Sequence, residues 1–348
     1  MKHPWVNILI LVFVTVEFVS GFLGLVSGMR DEAVFIIIHR IAGYGLVVLL
    51  VWKIAVILFA LRNRKRGRME RTGSLVLFVL LIVTLGLGFA WSAAGPYYFR
   101  PPSGITWSGV SWHIYISVLL IPLVVMHAIT YIKSFPLPLS FWVERRSFLR
   151  LAGVALAGLL FWQTGEQVVC AAGLSGKDRR FTGSYEGTRI NGDFPVVSWL
   201  NDEVPQTDMG LWRLSVHGLV KRDLSLEYAD LTSNDELTAT IDCTGGWYSE
   251  QVWRGVPLAR LLDEAELLPE ARSVKVTSAT GYYRRFTIAE AREYLLATHV
   301  GDGLLSRGHG YPLRLAARGK RGFEWVKWVT DIEVDARPKW LQPPLPIQ

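Results

Sequence analysis

Long apolar runs constrain the fold of this chain more than any other feature of its sequence. Four of them cover about residues 6–28, 33–61, 74–94 and 109–134, and a fifth, shorter run covers about 148–170. A helix needs about 20 apolar residues to cross a bilayer. The first four runs therefore predict an all-α transmembrane four-helix bundle, and the fifth predicts one further helix after it.

Basic residues cluster in the loop between the second and third runs. They are Arg62, Arg64, Lys65, Arg66, Arg68 and Arg71. Cytoplasmic loops carry an excess of such residues, so we place this loop and the N-terminus in the cytoplasm and everything after the fifth run outside. We expect a multi-pass protein of the cytoplasmic membrane whose C-terminal domain is periplasmic or extracellular. Because much of the net charge of +7 lies in this loop, the charge does not indicate a nucleic-acid partner, and we expect none.

The composition changes after the fifth run, where short β-branched and aromatic runs are separated by Gly, Pro and Asp. The segments that alternate like strands are 211–220, 236–243, 271–279 and 324–334. Helical spacing occurs in residues 258–268 and 288–298. We therefore predict three parts: the transmembrane bundle in 1–140, a signal or anchor helix in 141–172, and a β-rich α+β domain in 173–348.

Three histidines, His39, His113 and His127, lie within the apolar runs. His39 lies about 9 Å and His113 about 6 Å from the outer ends of their helices, at about 1.5 Å per residue. Two neutral imidazoles at similar depth on different helices are what a bis-histidine haem requires. We predict one b-type haem on the outer side, with His39 and His113 as its iron ligands. The alternative is a pair of polar bundle residues hydrogen-bonded to their neighbours.

His127 follows His113 by fourteen residues, which returns to nearly the same helix face. This spacing resembles that of the four-helix membrane cytochromes b, in which two helices each carry two such histidines and hold stacked haems. The resemblance is partial, because Lys53 stands fourteen residues after His39. A second haem would require His127 as a ligand; a quinone-site or structural role is the other interpretation. Glu17 is also charged within an apolar run and is a further candidate functional residue.

Cys243 lies at the end of a predicted strand, in the segment TIDCTGGWYSEQVWRGVPLARLL (240–262). A lone cysteine is ordinarily a small buried hydrophobic residue. This segment, however, resembles the cysteine loop of the sulfite-oxidase-type molybdopterin enzymes, in which a strand-end cysteine precedes a tryptophan and a W-x-G-V-P-L-x-x-L-L helix start. The matching residues are Trp253, Gly255, Val256, Pro257, Leu258, Leu261 and Leu262.

Three further segments extend the resemblance over about 150 residues. They are RFTGSYEGTRINGDFPVVSWL (180–200), VPQTDMGLWRLSVHGLV (204–220) and HGYPLRLAARGKRGFEWVKWVTDIEV (309–334). The resemblance implies a sulfite-oxidase-type molybdopterin fold, similar to the exported bacterial molybdenum sulfoxide reductase catalytic subunits. It also implies that one pterin dithiolene and the thiolate of Cys243 hold molybdenum, a soft ligand set that suits a redox-active metal.

Contacts to the pterin and its phosphate follow from the same resemblance. The candidates by position are Asn191, His309, Arg314, Lys320, Gly322 and Lys327. The alternative for each charged side chain is an ordinary surface position. Tyr248 is the second catalytic candidate and, with Trp247, is expected to line the substrate funnel; packing against the core is the alternative for both. The sequence departs from the family at 317–319, where a proline is common.

Together these features predict a membrane-bound molybdopterin-dependent oxidoreductase. Electrons would pass between the quinone pool, haem b and molybdenum, and an oxygen atom would be transferred at molybdenum to or from a small-molecule substrate. By analogy with the sulfoxide reductases, we favour reduction of an S-oxide or N-oxide. One alternative is a sulfite dehydrogenase that delivers electrons to the membrane. The other is a haem-b quinol or metal reductase whose exported domain is a non-catalytic pterin-binding module.

A paired arginine, Arg145-Arg146, precedes the fifth run and is followed by Ser-Phe-Leu-Arg and an Ala/Gly/Leu-rich stretch. This pattern resembles a twin-arginine export signal, which serves folded cargo. A domain that receives its cofactor while folding in the cytoplasm would need such a signal, so we expect the twin-arginine export machinery as a partner. The alternative is that both arginines are positive-inside anchors of the fifth helix.

Overall fold

The structure is a computed structural model, and it describes residues 4–62, 68–99, 107–132, 144–187, 194–197, 202–231 and 235–346. The chain divides into two compact units, one formed by Met1–Leu25 with Arg30–Tyr185 and the other by Val26–Met29 with Glu186–Gln348. Each unit has its own hydrophobic core, and the two are described in turn.

The first unit is helical. Its helices are α1 (Pro4–Val26), α2 (Val34–Arg62), α3 (Arg68–Ala94), α4 (Gly109–Ile132) and α5 (Arg145–Ala171). A short antiparallel pair, β1 (Tyr98–Phe99) and β2 (Trp107–Ser108), lies between α3 and α4 in the chain. All five helices are long and apolar enough to cross a membrane. The expected helical N-terminal region with several apolar helices is thus confirmed.

An apolar core joins α1, α2 and α5. Phe13 of α1 and Leu46 of α2 are buried there together with Val154 of α5. Gly158 allows the backbone of α5 to approach that of α2, because a Cβ atom at this position would lie 2.5 Å from Ile41 O. The fifth helix is therefore an integral part of the packing of this unit.

In its described residues, the second unit contains two sheets and two short α-helices, α6 (Leu258–Ala265) and α7 (Ile288–Arg292). Its strands are β4 (Leu214–Gly218), β5 (Leu224–Leu226), β6 (Asp235–Asp242), β7 (Trp247–Pro257), β8 (Ser273–Ser278), β9 (Tyr283–Thr287), β10 (Leu295–Val300), β11 (Gly303–Leu304), β12 (Arg314–Ala316) and β13 (Val329–Asp335), and β3 (Tyr185–Glu186) lies at the boundary between the units.

Antiparallel pairing dominates both sheets. In the first sheet β6 pairs with β7, β7 with β10, and β10 with β11 and β12, all antiparallel. The second sheet has the order β5–β4–β13–β8–β9, in which β4 and β13 run parallel and the other pairs antiparallel. The expectation of a β-rich α+β domain is confirmed at this level.

Amphipathic spacing explains where the core of the second unit lies. The buried residues of α6 are Leu258, Leu261, Leu262 and Ala265, which follow the i, i+3, i+4, i+7 pattern of a single helix face. Trp253 of β7 is fully buried in the same core, and its indole Nε1 donates to Ala239 O on β6 at 3.1 Å. These contacts hold β6 and β7 in fixed register, and the turn between them carries Cys243.

The predicted helix at 288–298 is wrong in its second half. The helix α7 begins with a capping box between Thr287 and Glu290 and ends at Arg292. The residues that follow form β10, which pairs with β7 on one side and with β12 on the other. A short apolar run fits a buried strand as well as a helix, and here sheet pairing decides in favour of the strand.

The predicted strand at 324–334 begins only at Val329. Before it, Gly322–Glu324 form a 3-10 turn, and Trp328 has a φ of 52°. This left-handed conformation interrupts an extended chain. The alternation in the sequence therefore covers a turn as well as a strand.

Candidate functional site

A tight turn between β6 and β7 presents the thiol of Cys243. Cys243 N donates to Trp247 O at 2.8 Å, and Gly246 N donates to Cys243 O at 3.0 Å. Gly246 has a φ of 90°, a conformation that favours glycine. Gly245 N donates to Cys243 Sγ at 3.3 Å, so the turn fixes the position of the sulfur atom.

The closing block of the chain lies directly against this turn. A Cβ atom at Gly322 would lie 3.2 Å from Cys243 Cα and 3.3 Å from Asp242 O. A larger residue there would push the two segments apart. The structure thus places Gly322, a predicted cofactor contact, beside the predicted metal ligand.

A buried ion pair anchors the same turn. Arg321 Nη1 donates to Asp242 Oδ1 at 2.6 Å, and its Nη2 donates to Cys243 O at 3.3 Å. Both charged side chains are at most 4% exposed. Arg321 carries no motif that singles it out in the sequence, although its neighbours Lys320 and Gly322 are predicted cofactor contacts. The signal that could have found it is Asp242 itself, because an acid at the buried end of a strand needs a cation as its partner.

Two more cations lie within electrostatic range of the Cys243 thiol. Burial lowers the pKa of the Arg314 guanidinium to about 9, and Nη1 donates to His309 O at 2.9 Å. Burial and the neighbouring Arg314 lower the pKa of the Lys327 ammonium to about 7, and Nζ donates to Gly308 O at 2.8 Å. Burial raises the pKa of the Cys243 thiol, while the hydrogen bond from Gly245 and the nearby cations act against that rise.

Two other predicted cofactor contacts, His309 and Lys320, have side chains that are bonded to other residues of the protein. Both ring nitrogens of His309 are hydrogen-bonded, Nε2 to Phe194 O at 2.7 Å and Nδ1 to Ser306 Oγ at 2.9 Å. Lys320 Nζ donates to Glu290 Oε1 at 2.6 Å. His309 therefore fixes neighbouring segments of the chain, and Lys320 is paired with a carboxylate. Asn191 lies outside the described residues.

The two aromatic residues after the turn differ in exposure. Trp247 is 5% exposed, and its ring centroid lies 6.0 Å from that of Phe194. Tyr248 is half-buried, and its carbonyl accepts a hydrogen bond from Gly187 N at 2.8 Å. Trp247 thus packs in the core, whereas Tyr248 retains exposed surface beside the turn.

Buried donor atoms without a hydrogen-bond partner in the described part of the chain fit an anionic cofactor that is rich in acceptors. Arg314 Nε, Arg321 Nε and Trp247 Nε1 are buried and have no hydrogen-bond partner among the described residues. No group of three or more His, Cys, Asp or Glu residues in the described part of the chain could hold a metal ion. Within that part of the chain, a metal bound at Cys243 would need a non-protein group to complete its ligand set. A pterin dithiolene meets this requirement, and its phosphate supplies acceptors.

The helical unit contains a second cluster, at His39 and His113. The ring centroids lie 5.9 Å apart with an interplanar angle of 88°. Nδ1 of His113 is bonded to Thr84 O at 2.8 Å, and Nδ1 of His39 lies 3.1 Å from Glu17 O and 2.7 Å from Glu17 Oε2. Metal-bound histidines use one ring nitrogen in this way, which leaves Nε2 for the metal. The ring separation is close to the about 6 Å expected for two imidazoles on one ion, given metal–nitrogen bonds of about 2 Å.

His127 is half-buried on α4. Lys53, which occupies the position of the absent fourth histidine, donates to Asn7 Oδ1 at 2.9 Å. Lys53 is therefore bonded to a polar group on α1. The arrangement around His39 and His113 fits a bis-histidine haem.

Comparison with known proteins assigns a class to the second unit. Residues 201–341 match the family model of the "Oxidoreductase molybdopterin binding domain". The second unit thus carries a domain that matches the molybdopterin-binding domain of oxidoreductases. This confirms the expected enzyme class and molybdopterin binding.

Individual proteins are similar to part of this chain. The NADH nitrate reductase of Spinacia oleracea is 29% identical over 170 residues, which cover 38% of this chain and 18% of that protein. The NADPH nitrate reductase of Aspergillus niger is 26% identical over 181 residues, covering 43% of this chain and 20% of that protein. The chain thus spans about a fifth of the length of these relatives. Among solved structures, sulfane dehydrogenase SoxCD from Paracoccus pantotrophus is 27% identical with a TM-score of 0.37, covering 38% of this chain and 40% of that one.

Proposed function

We propose that this chain is a membrane-bound molybdenum oxidoreductase of the sulfite-oxidase type. It passes electrons between the quinone pool, a b-type haem held by His39 and His113, and a molybdenum–pterin centre held by Cys243. The observation that carries the proposal is the thiol of Cys243 together with the buried donor atoms Arg314 Nε and Arg321 Nε, which have no hydrogen-bond partner among the described residues. An anionic pterin matches those donors, and its dithiolene completes the ligand set of the metal.

The bound cofactor supplies two-electron chemistry and oxygen-atom transfer. The protein holds and orients it. Cys243 is the thiolate ligand, with its sulfur fixed by the Gly245 N–H. Arg314 and Lys327 bind anionic parts of the pterin because both are cationic donors buried near that sulfur. Arg321 acts on the turn itself through its bonds to the Asp242 side chain and the Cys243 carbonyl.

The helical unit serves electron transfer within the membrane. Its five apolar helices and the basic residues between α2 and α3 support a multi-pass position in the cytoplasmic membrane, with the N-terminus inside and the second unit outside. Arg145 and Arg146 begin α5 and direct export of the folded, cofactor-loaded domain. Quinol is the electron source in this scheme.

Reduction of an S-oxide or N-oxide is the direction that we propose. The similar curated proteins are named as nitrate reductases, so reduction of an oxygen-containing substrate agrees with the class of the domain. Oxidation of sulfite with delivery of electrons to the membrane is the second candidate. Because the chain covers only part of those relatives, the substrate must be found by measurement.

Metal analysis of the purified full chain tests the molybdenum centre. We expect near-stoichiometric molybdenum in the unmodified protein and its loss in Cys243→Ser. The matched control is Cys170→Ser, because Cys170 is the exposed cysteine and is expected to leave molybdenum unchanged. Molybdenum retained in Cys243→Ser would contradict the proposal. Substrate screens with a viologen donor and with a ferricyanide acceptor then identify the substrate and the direction.

A further inference from the structure

The surroundings of His39 and His113 repeat between the two helix pairs. The Nδ1 atom of each ring faces the carbonyl of a residue on the preceding helix, and a glycine follows that residue four positions later. A Cβ atom at Gly21 would lie 3.0 Å from His39 Cε1, and one at Gly88 would lie 3.1 Å from His113 Cε1. Each glycine thus leaves room for one imidazole against the neighbouring helix.

The surroundings of the two histidines differ at one side chain. The residue whose carbonyl faces His39 is Glu17, and its Oε2 also lies 2.7 Å from His39 Nδ1. The corresponding residue for His113 is Thr84, whose hydroxyl donates to Leu80 O at 2.8 Å. Only one of the two rings therefore receives a carboxylate within the described residues.

The carboxyl group of Glu17 is held against His39 by its surroundings. Its side chain is 14% exposed, and its second oxygen, Oε1, is buried without a hydrogen-bond partner in the described part of the chain. A Cβ atom at Gly43 would lie 3.2 Å from that oxygen, so α2 packs closely against the carboxyl group. An intramembrane carboxyl group is costly, and His39 is the ionisable group to which it is bonded.

We propose that Glu17 is a positioning residue that makes His39 a stronger electron donor to the iron than His113 and thereby lowers the midpoint potential of the haem. This inference rests on the proposed function, because it presupposes a haem between the two histidines. A carboxylate that accepts the Nδ1–H bond raises the basicity of an imidazole ligand, and second-shell hydrogen bonding is one means by which proteins set haem potentials. A more basic ligand favours the ferric state.

Redox titration of the purified full chain tests the role of Glu17. Glu17→Gln keeps a hydrogen-bond acceptor of similar size and removes the negative charge. We expect the bis-histidine absorption spectrum to persist and the midpoint potential to rise, with about a tenfold increase in the ratio of reduced to oxidised haem at fixed ambient potential, or about 59 mV for one electron. The matched control is Thr84→Val, which changes the equivalent side chain and leaves the carbonyl bonded to His113. It should leave the midpoint unchanged.

An unchanged midpoint in Glu17→Gln would overturn the inference and leave Glu17 a packing residue. If that variant does not fold, Glu17→Asp replaces it; the shorter side chain lengthens the contact, so a smaller rise is expected, and an unchanged midpoint would again overturn the inference. The unmodified chain separates this failure from that of the proposed function. Absence of a haem spectrum there would refute the haem itself, whereas a normal spectrum with no shift refutes only the role of Glu17.

Discussion

The two candidate sites differ in the sign of the ionisable groups that surround them. Beside Cys243 these groups are the basic side chains of Arg314 and Lys327, which donate to the backbone carbonyls of His309 and Gly308. Beside His39 the bonded ionisable group is the carboxyl of Glu17. Because buried charge is costly without a partner, the first site favours an anionic group and the second a cationic centre. The sign of the surrounding groups thus indicates the class of group that each site suits.

The largest expected effects test whether the two sites bind their groups independently of one another. His39→Ala is expected to abolish haem binding and to retain molybdenum, whereas Cys243→Ser should lose molybdenum and keep the haem spectrum. Loss of an iron ligand should reduce haem affinity by more than the about 10–100-fold that loss of an outer-shell partner costs. Haem absorbance and molybdenum content of both variants provide the check. Loss of both groups in either variant would mean that the sites depend on one another.

Arg321→Ala tests whether the buried ion pair between Arg321 and Asp242 stabilises the fold of the second unit. The substitution leaves Asp242 buried beside Cys243 without its cation, so we expect the free energy of unfolding to fall by about 3–5 kcal/mol. Arg213→Ala is the control, because Arg213 pairs with Glu227 at an exposed position and should cost at most about 1 kcal/mol. Chemical denaturation of both variants measures the difference, and equal costs would contradict the structural role of Arg321.

The smallest effect concerns Glu290, whose carboxylate accepts hydrogen bonds from Lys320 and Lys339 at 2.6 Å. Although burial acts in the opposite direction, these bonds lower the pKa of Glu290 to about 2. The folded pKa lies below the usual value of about 4.3. The stabilisation is therefore present above about pH 5 and is lost as the pH falls toward 2.

Denaturation at a series of pH values checks this expectation. Glu290→Gln should lower the free energy of unfolding by about 2 kcal/mol at pH 7, after allowance for solvent screening, and should have little effect near pH 2. The exposed Glu227→Gln serves as the control. A cost that does not change with pH would show that Glu290 acts through packing rather than through its charge.

Sequence patterns predicted the features that depend on local composition. Apolar length alone predicts the five helices, and alternation predicts most of β4, β6 and β8. It could not predict that residues 295–298 form a strand, because only pairing with β7 and β12 distinguishes the two interpretations. The resemblance of the closing segment, 309–334, led to Gly322, which the structure places against Cys243.

Charge partners were harder to predict than motifs. Lys320 and Arg321 are adjacent, yet one bonds to Glu290 and the other to Asp242. Nothing local in the sequence distinguishes them, because their partners lie in distant segments. His39 and His113 could be paired from the sequence, because helix geometry relates sequence position to depth, and their rings lie 5.9 Å apart in the structure.

The close packing at Gly158 limits which residues this position accepts. A methyl group there would collide with Ile41 O of α2, so α5 packs at close range against α2. Any side chain at position 158 would force the two helices apart. The amino acid at this point of α5 is therefore restricted by the neighbouring backbone and not by hydrophobicity alone.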